Sequence, residues 1–236
     1  MLPIIATPKY ELIIPSTGTT VTYRPYVVKE EKILLIALES QDDIAIEKAV
    51  QNICKACIET DIDFNKITNF DLEFIFITLR SKSVGEGIKL DMKCEIEDCE
   101  GTTPQKVNLD EVVVSNLDGK VDHHVKINDT VSLDLRWMGI NDKLTKAMRS
   151  TDTDAVINSV AMCIETIYSG EETFTAKDSK HSEVVAFVES LNNDQFGKVI
   201  EFMEKAPALE YKMEYECKEC GHKQTRELKG LVDFFI

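Results

Sequence analysis

Apolar and polar residues alternate from Tyr10 onward, at Tyr10, Leu12 and Ile14 and again at Val21, Tyr23 and Tyr26, on either side of Pro15-Ser16-Thr17-Gly18. Two period-two runs split by a proline–glycine turn predict a β-hairpin. The pattern then changes. Residues 29–39 carry Ile33, Leu34, Leu35, Ile36 and Leu38, which predicts a largely buried helix. Ser40 is placed to cap the next helix, over residues 42–59, where Ile46, Val50, Ile53 and Cys57 recur at helical spacing. A third helix is predicted over 70–82 from Leu72, Phe76 and Leu79, capped by Thr68 or Asn69.

Gly85 and Gly87 end that stretch, and alternation returns at Ile88, Leu90 and Met92 and again at Val107 and Leu109. Near the other end Leu209, Tyr211, Met213 and Tyr215 alternate, followed by Thr225 and Leu228. Between these runs the pattern predicts strands near 112–114, 121–127 and 131–137. Helices follow near 142–149, 154–168 and 181–191, and one more over 193–205, which Pro207 stops. Residues 169–180, rich in Gly, Glu, Thr, Lys and Asp, read as an exposed loop.

Each late alternating run brackets a pair of cysteines. One reads Lys93-Cys94-Glu95-Ile96-Glu97-Asp98-Cys99-Glu100-Gly101, the other Glu216-Cys217-Lys218-Glu219-Cys220-Gly221-His222. A short loop at the tip of a hairpin turns two thiolates toward one point, and two such loops supply four sulfurs to a tetrahedral ion. Cys94, Cys99, Cys217 and Cys220 are therefore the candidate ligands of one structural Zn²⁺. Four sulfurs close the coordination sphere and leave no position for a reactive water. Gly101 and Gly221 allow backbone N–H groups to approach the sulfurs, in Gly221 and Gly101 alike through positive φ. Lys93, Lys218 and Lys223 offset the negative charge of four thiolates, against Glu95, Glu97, Asp98 and Glu100. Ordinary reduced cysteines or two disulfides are the alternatives, and His222 is an alternative ligand.

The layout predicts an α+β fold. Residues 1–86 form an N-terminal hairpin and helical region. Residues 87–110 and 207–236 form a split zinc-ribbon-like module of two strand–knuckle–strand units, and residues 111–206 an inserted strand and helical segment.

Composition narrows the function. Hydrophobic residues make up 43% and charged residues 29%, enough apolar side chain for a sizeable core. No apolar run approaches the ~20 residues that span a bilayer, and the start lacks the basic region of a secretory signal, so a cytoplasmic setting is expected. Seven cysteines, an odd number, in such a setting favour metal over disulfides. A formal net charge of −15 disfavours binding to phosphate backbones and anionic membranes and points to protein partners.

Other candidate chemistry is thin. Cys54 and Cys57 form a second C-x-x-C, but inside a helix and without the βαβ setting of a redox motif, so they and Cys163 read as core residues. His123 and His124 are neighbours in a strand and point to opposite faces. His181 reads as a surface residue. Ser83-Val84-Gly85-Glu86-Gly87 lacks a nucleotide-binding fingerprint and reads as a turn. No nucleophile elbow or metalloprotease signature occurs.

Three segments carry a family resemblance. They are Pro8-Lys9-Tyr10-Glu11-Leu12-Ile13-Ile14-Pro15-Ser16-Thr17-Gly18 continuing through Val21 to Leu35, the stretch from Phe70 to Gly85, and Cys217-Lys218-Glu219-Cys220-Gly221-His222 with Glu227 to Phe235. Together they resemble the baseplate hub and hub-assembly proteins of T-even-like contractile-tailed bacteriophages. The resemblance implies a non-enzymatic virion or assembly protein, made in the host cytoplasm and built into the tail baseplate. It implies other baseplate, hub or tail proteins as partners, within a symmetric assembly, without direct nucleic-acid contact or membrane insertion. The competing reading is a zinc-ribbon adaptor acting on nucleic acid or on the transcription or translation machinery. A lytic hydrolase of the tail stands third, since acidic residues are abundant but unplaced by sequence. The apolar ends, 1–8 and 231–236, are expected to dock on a partner or on the protein's own core.

Overall fold

A computed structural model describes residues 5–117, 121–142 and 151–234. In chain order the elements are β1 (Tyr10–Ile13), β2 (Thr20–Tyr23), α1 (Val28–Glu39), α2 (Asp43–Cys57) and α3 (Asn69–Val84). There follow β3 (Gly87–Lys93), β4 (Thr102–Asn108), β5 (Val113–Val114), β6 (His124–Lys126) and β7 (Val131–Leu135). The chain continues through α4 (Asp152–Cys163), β8 (Ile164–Ser169), β9 (Glu172–Thr175), α5 (His181–Glu189) and α6 (Asn193–Glu204), and closes with β10 (Leu209–Glu216) and β11 (Lys223–Lys229). The fold is mixed α and β, as the pattern predicts.

Two compact units result, one of Met1–Leu117 with Pro207–Ile236 and one of Asp118–Ala206. In the first, β1 and β2 pair across the turn at Gly18, whose φ of 67 is open to glycine without strain. Ile58 and Glu59, just past α2, bond back to β2, so helix and hairpin are joined by main chain. The hairpin turn is also tied to α3. Asp71, fully buried, accepts from the Ser16 N–H (2.9 Å) and hydroxyl (2.6 Å) and from the Thr68 N–H (3.1 Å) and hydroxyl (2.6 Å). Thr68 is the N-cap of α3, whereas Asp42 rather than Ser40 caps α2.

The remaining strands of this unit form two antiparallel hairpins. β3 and β4 pair from Gly87↔Asn108 to Lys93↔Thr102. β10 pairs with β11 from Glu210↔Lys229 to Glu216↔Lys223, and with β5 on its other edge. Ile88, Leu90 and Met92 of β3 face a core shared with Ile77, Val107, Leu109, Leu209, Tyr215, Leu228 and Phe234. Phe234 thus docks on the protein's own core, while Ile5 is 89% exposed. In β11 the inward positions are Gln224 and Leu228, and Thr225 faces solvent.

The second unit is a four-stranded antiparallel sheet, β6-β7-β8-β9, whose core joins Leu133, Leu135 and Ile164 to Val160, Val184, Val199 and Phe202 from the three helices. Two expectations are corrected here. The helix over 154–168 stops at Cys163, because the β-branched run from Ile164 through Thr166 and Ile167 pairs with β7. The loop over 169–180 contains β9, joined to β8 by two residues of which the first, Gly170, has φ 59. The helix expected over 142–149 lies outside the described residues.

One helix departs from expectation in the first unit. Read as largely buried, α1 buries Leu34 and Ala37, with Glu30, and leaves Ile33, Leu35 and Ile36 exposed. Its N-terminus is held by Glu30, which accepts from the Val27 N–H (2.9 Å) and from Arg24 (2.9 Å).

Candidate metal centre

Both cysteine pairs sit at hairpin tips. Cys94 and Cys99 lie in the connection between β3 and β4, Cys217 and Cys220 in that between β10 and β11. The strands aim all four sulfurs at one point, where they lie within 4.8 Å of one another. Cys94 Sγ is 3.6 Å from Cys220 Sγ, and Cys99 Sγ is 3.7 Å from Cys217 Sγ, each pair reaching across from one loop to the other. Four sulfurs at tetrahedral corners, each about 2.3 Å from a central Zn²⁺, stand about 3.8 Å apart. The cross-loop spacings meet that requirement, so the cluster is compatible with a zinc ion.

The two loops reach this geometry by similar backbone chemistry. In the first, the Ile96 N–H donates to the Cys94 sulfur and the Gly101 N–H to that of Cys99. In the second, the N–H groups of Cys220 and Glu219 both donate to Cys217. Such donors stabilise thiolate and fix the direction of its lone pairs. Those two N–H groups hold the Cys217 thiol down at about 6. The Gly101 N–H favours the Cys99 thiolate too, but burial and the adjacent Cys220 and Cys217 thiols push Cys99 up to about 12. A cation at the centre overrides such competition between neighbours, since a coordinating thiol is deprotonated outright. Lys93, Lys218 and Lys223 are exposed, as are Glu95, Glu97, Asp98 and Glu100. The direct contacts that favour thiolate therefore come from main-chain N–H groups.

The two glycines act differently, which corrects the expectation of positive φ at both. Gly221 has φ 71, and its N–H donates to the Cys217 carbonyl (2.9 Å). Gly101 is not in the left-handed region; it is needed for space. A Cβ there would stand 2.8 Å from Cys217 Sγ and 3.1 Å from Cys99 Sγ. His222 is exposed, and its role in the loop is its carbonyl, which accepts the Cys217 N–H over 2.8 Å.

Three polar side chains that sequence reasoning passed over lock one hairpin to the other. Gln224, buried, accepts from the Glu95 N–H (2.9 Å) and donates to the Lys93 carbonyl (3.4 Å). The Tyr215 hydroxyl donates to the same carbonyl (3.1 Å). Thr103, 2% exposed, accepts from the Lys218 N–H (3.1 Å). The only available signal was position: Gln224 and Thr103 each lie near the cysteine end of a strand, where a buried polar group needs a partner.

The other chemically suggestive residues lie elsewhere. Cys54 and Cys57 are fully buried in α2, where burial pushes the Cys54 thiol well up and the Cys57 thiol up to about 11. Burial likewise raises Cys163 to about 11. Thiols so raised are poor nucleophiles at neutral pH. The neighbouring histidines do separate. His123 packs its ring on Trp137 and Phe202, while His124 bonds Asp134 (2.6 Å). His181 is half-buried against Asn158 (2.8 Å).

A mixed α and β chain whose two hairpins meet at a zinc-ribbon-like cluster of four cysteines is the class this fold defines. Comparison with known families makes it particular: the family model described as T4 bacteriophage base plate protein matches residues 7–236, and the chain belongs to that family. It is accordingly a T4-like phage baseplate protein, a structural component of the virion tail that meets other baseplate or tail proteins. No curated protein and no solved structure matches it. Among the described residues no helix is long and apolar enough to cross a membrane.

Proposed function

We propose that this chain is a non-catalytic structural or assembly component of the baseplate hub, stabilised by one Zn²⁺ on Cys94, Cys99, Cys217 and Cys220. The observation that carries the reading is the convergence of four sulfurs from two hairpins, in a chain matched along nearly its whole length by a baseplate family. In this reading residues 1–86 are the hairpin-and-helix part, 87–110 with 207–236 the clasp, and 111–206 the insertion. All four ligands being thiolates, the ion holds shape rather than activating water. A subunit of a large assembly benefits from a rigid surface, and the clasp would add rigidity at the hairpin tips, beyond the core that the two hairpins share.

The protein would be made in the host cytoplasm and carried into the virion, with neighbouring hub proteins as partners. Charge along the second hairpin supports protein over nucleic-acid contact: Glu216 and Glu219 lie on either side of Lys218 at the loop, and Lys229 at the far end is paired with Glu210 and Glu227. The test is metal analysis of the purified chain together with co-purification against the other hub proteins. One zinc per chain and recovery in a hub subassembly are expected. A folded, metal-free chain ends the zinc reading, and tight, steeply salt-dependent DNA binding ends the structural one.

A further inference from the structure

Helix α1 is apolar around more of its circumference than its own core uses. Leu34 and Ala37 face inward, while Val28, Ile33, Leu35 and Ile36 are 78%, 48%, 53% and 56% exposed. An exposed apolar patch of that extent marks an interaction surface. The apolar surface extends past the helix, because the Tyr26 N–H donates to Ser83 (2.9 Å) and so brings the end of α3, with exposed Val84, toward exposed Val27. The presentation is firm: the Glu30 bonds to Arg24 and the Val27 N–H fix the start of α1.

The charges on the same outward face identify what covers it. Val28, Lys32, Leu35 and Glu39 follow one another at spacings of four, three and four, so they run along one line of the helix. Lys32 and Glu39 are both exposed, and neither has an ion-pair partner among the described residues. They lie symmetrically about the point between Leu35 and Ile36. If two such helices cross there antiparallel, Lys32 meets the partner's Glu39, Glu39 meets the partner's Lys32, and Leu35 packs on the partner's Ile36. A parallel pairing would instead set lysine beside lysine. The exposed stripe is locally neutral although the chain carries −15, so the antiparallel contact itself sets no like charges against each other.

We propose that two copies of this chain associate through α1, antiparallel about a two-fold axis, with Leu35 and Ile36 at the centre and Lys32–Glu39 pairs on either side. The contact is isologous and therefore closes at two. It depends on neither the metal nor a position in the hub.

The experiment is sedimentation equilibrium of the full-length chain and its variants, with circular dichroism as the control for folding. Wild type is expected to be dimeric at micromolar concentration, and L35E/I36E monomeric with an unchanged spectrum. Each ion pair occurs twice in a two-fold dimer, so K32E should weaken association roughly tenfold, and K32E/E39K should restore it. A monomeric wild type overturns the proposal, as does a dimer that survives L35E/I36E. Failure of the charge-reversed double variant to recover overturns the antiparallel pairing. Should wild type be monomeric while L35E/I36E abolishes binding to a purified baseplate subunit, the face belongs to that subunit and not to a second copy. Metal content is read in parallel, so the fate of the zinc reading is scored separately.

Discussion

A side chain as small as a methyl group on Gly101 would press against the sulfur of Cys217, 2.8 Å away. Those residues are on different hairpins, so the glycine sits where one loop packs closely on a sulfur of the other. G101A should therefore cost about 1–3 kcal/mol of stability and lower zinc affinity, as read by chelator competition. G221A is the matched control. It meets only Glu216 Oε1 at 3.7 Å but must hold φ near 71, so it should cost about 1–2 kcal/mol through the backbone while leaving zinc affinity nearly unchanged. Equal effects of the two substitutions on zinc affinity would contradict the assignment.

Gln224 is the polar link between the loops. Q224L removes the acceptor of the Glu95 N–H, and the expected loss is about 1–3 kcal/mol in chemical denaturation of the zinc-loaded chain. T225L, one residue along and exposed, should stay within about 0.5 kcal/mol of wild type.

Removing a candidate ligand should differ in kind from removing a core cysteine. C99S and C217S are expected to abolish stoichiometric zinc, and a strong chelator should unfold the clasp of the wild-type chain. C54A and C57A should retain one zinc per chain and lose about 1–3 kcal/mol through core packing. Retention of full zinc by C217S would remove that residue from the ligand set.

Asp71 ties the hairpin turn to the start of α3 through four accepted hydrogen bonds. D71A leaves those donors without their carboxylate and should destabilise by about 3 kcal/mol or more. S16A alone removes one hydroxyl and should cost about 1 kcal/mol. In a double-mutant cycle S16A should add almost nothing to D71A, because the bond it deletes is already gone.

Glu30 supplies a pH dependence with a definite sign. Burial alone would raise its carboxyl, but the bonds from Arg24 and the Val27 N–H outweigh burial and hold it below the ordinary 4.5. A depressed carboxylate contributes stability that is present above its unfolded value and lost as pH falls through the folded one. The stability gap between wild type and E30Q should therefore be full at neutral pH and shrink below about pH 4.5. A gap that widened on acidification would refute the arrangement.

Much of this fold was legible because its strands are half-buried and obey period two. Ile88, Leu90 and Met92 announce β3, and the two cysteine loops announce their own hairpins. The α4–β8 junction was illegible because the apolar spacing of the helix runs unbroken into Ile164 and Ile167. There the pairing with β7 decides, and local periodicity carries no trace of it. Helix α1 misled for a related reason: periodicity counts apolar residues but cannot tell a buried face from an exposed one. The convergence of the four clustered cysteines could be read from spacing. The inward register of β11 could not, since the hairpin geometry turns Gln224 inward and leaves Thr225 outside.

The Ser115 N–H donates to the Ala208 carbonyl over 2.9 Å, and Val114 pairs with Leu209, so the two points where the chain leaves and re-enters the first unit are neighbours. This has a consequence for the order of events at the ribosome. Residues 118–206 emerge as one uninterrupted piece and can fold as soon as they are clear. The first unit cannot finish then, because β10, β11 and two of the four clustered cysteines, Cys217 and Cys220, are still to be translated. Cys94 and Cys99 must wait through 118 residues of synthesis, counted from Cys99, before their counterparts arrive. Assembly of the four-cysteine cluster is thus a late step that follows completion of the chain, and a product truncated before Cys217 would lack half of the cluster.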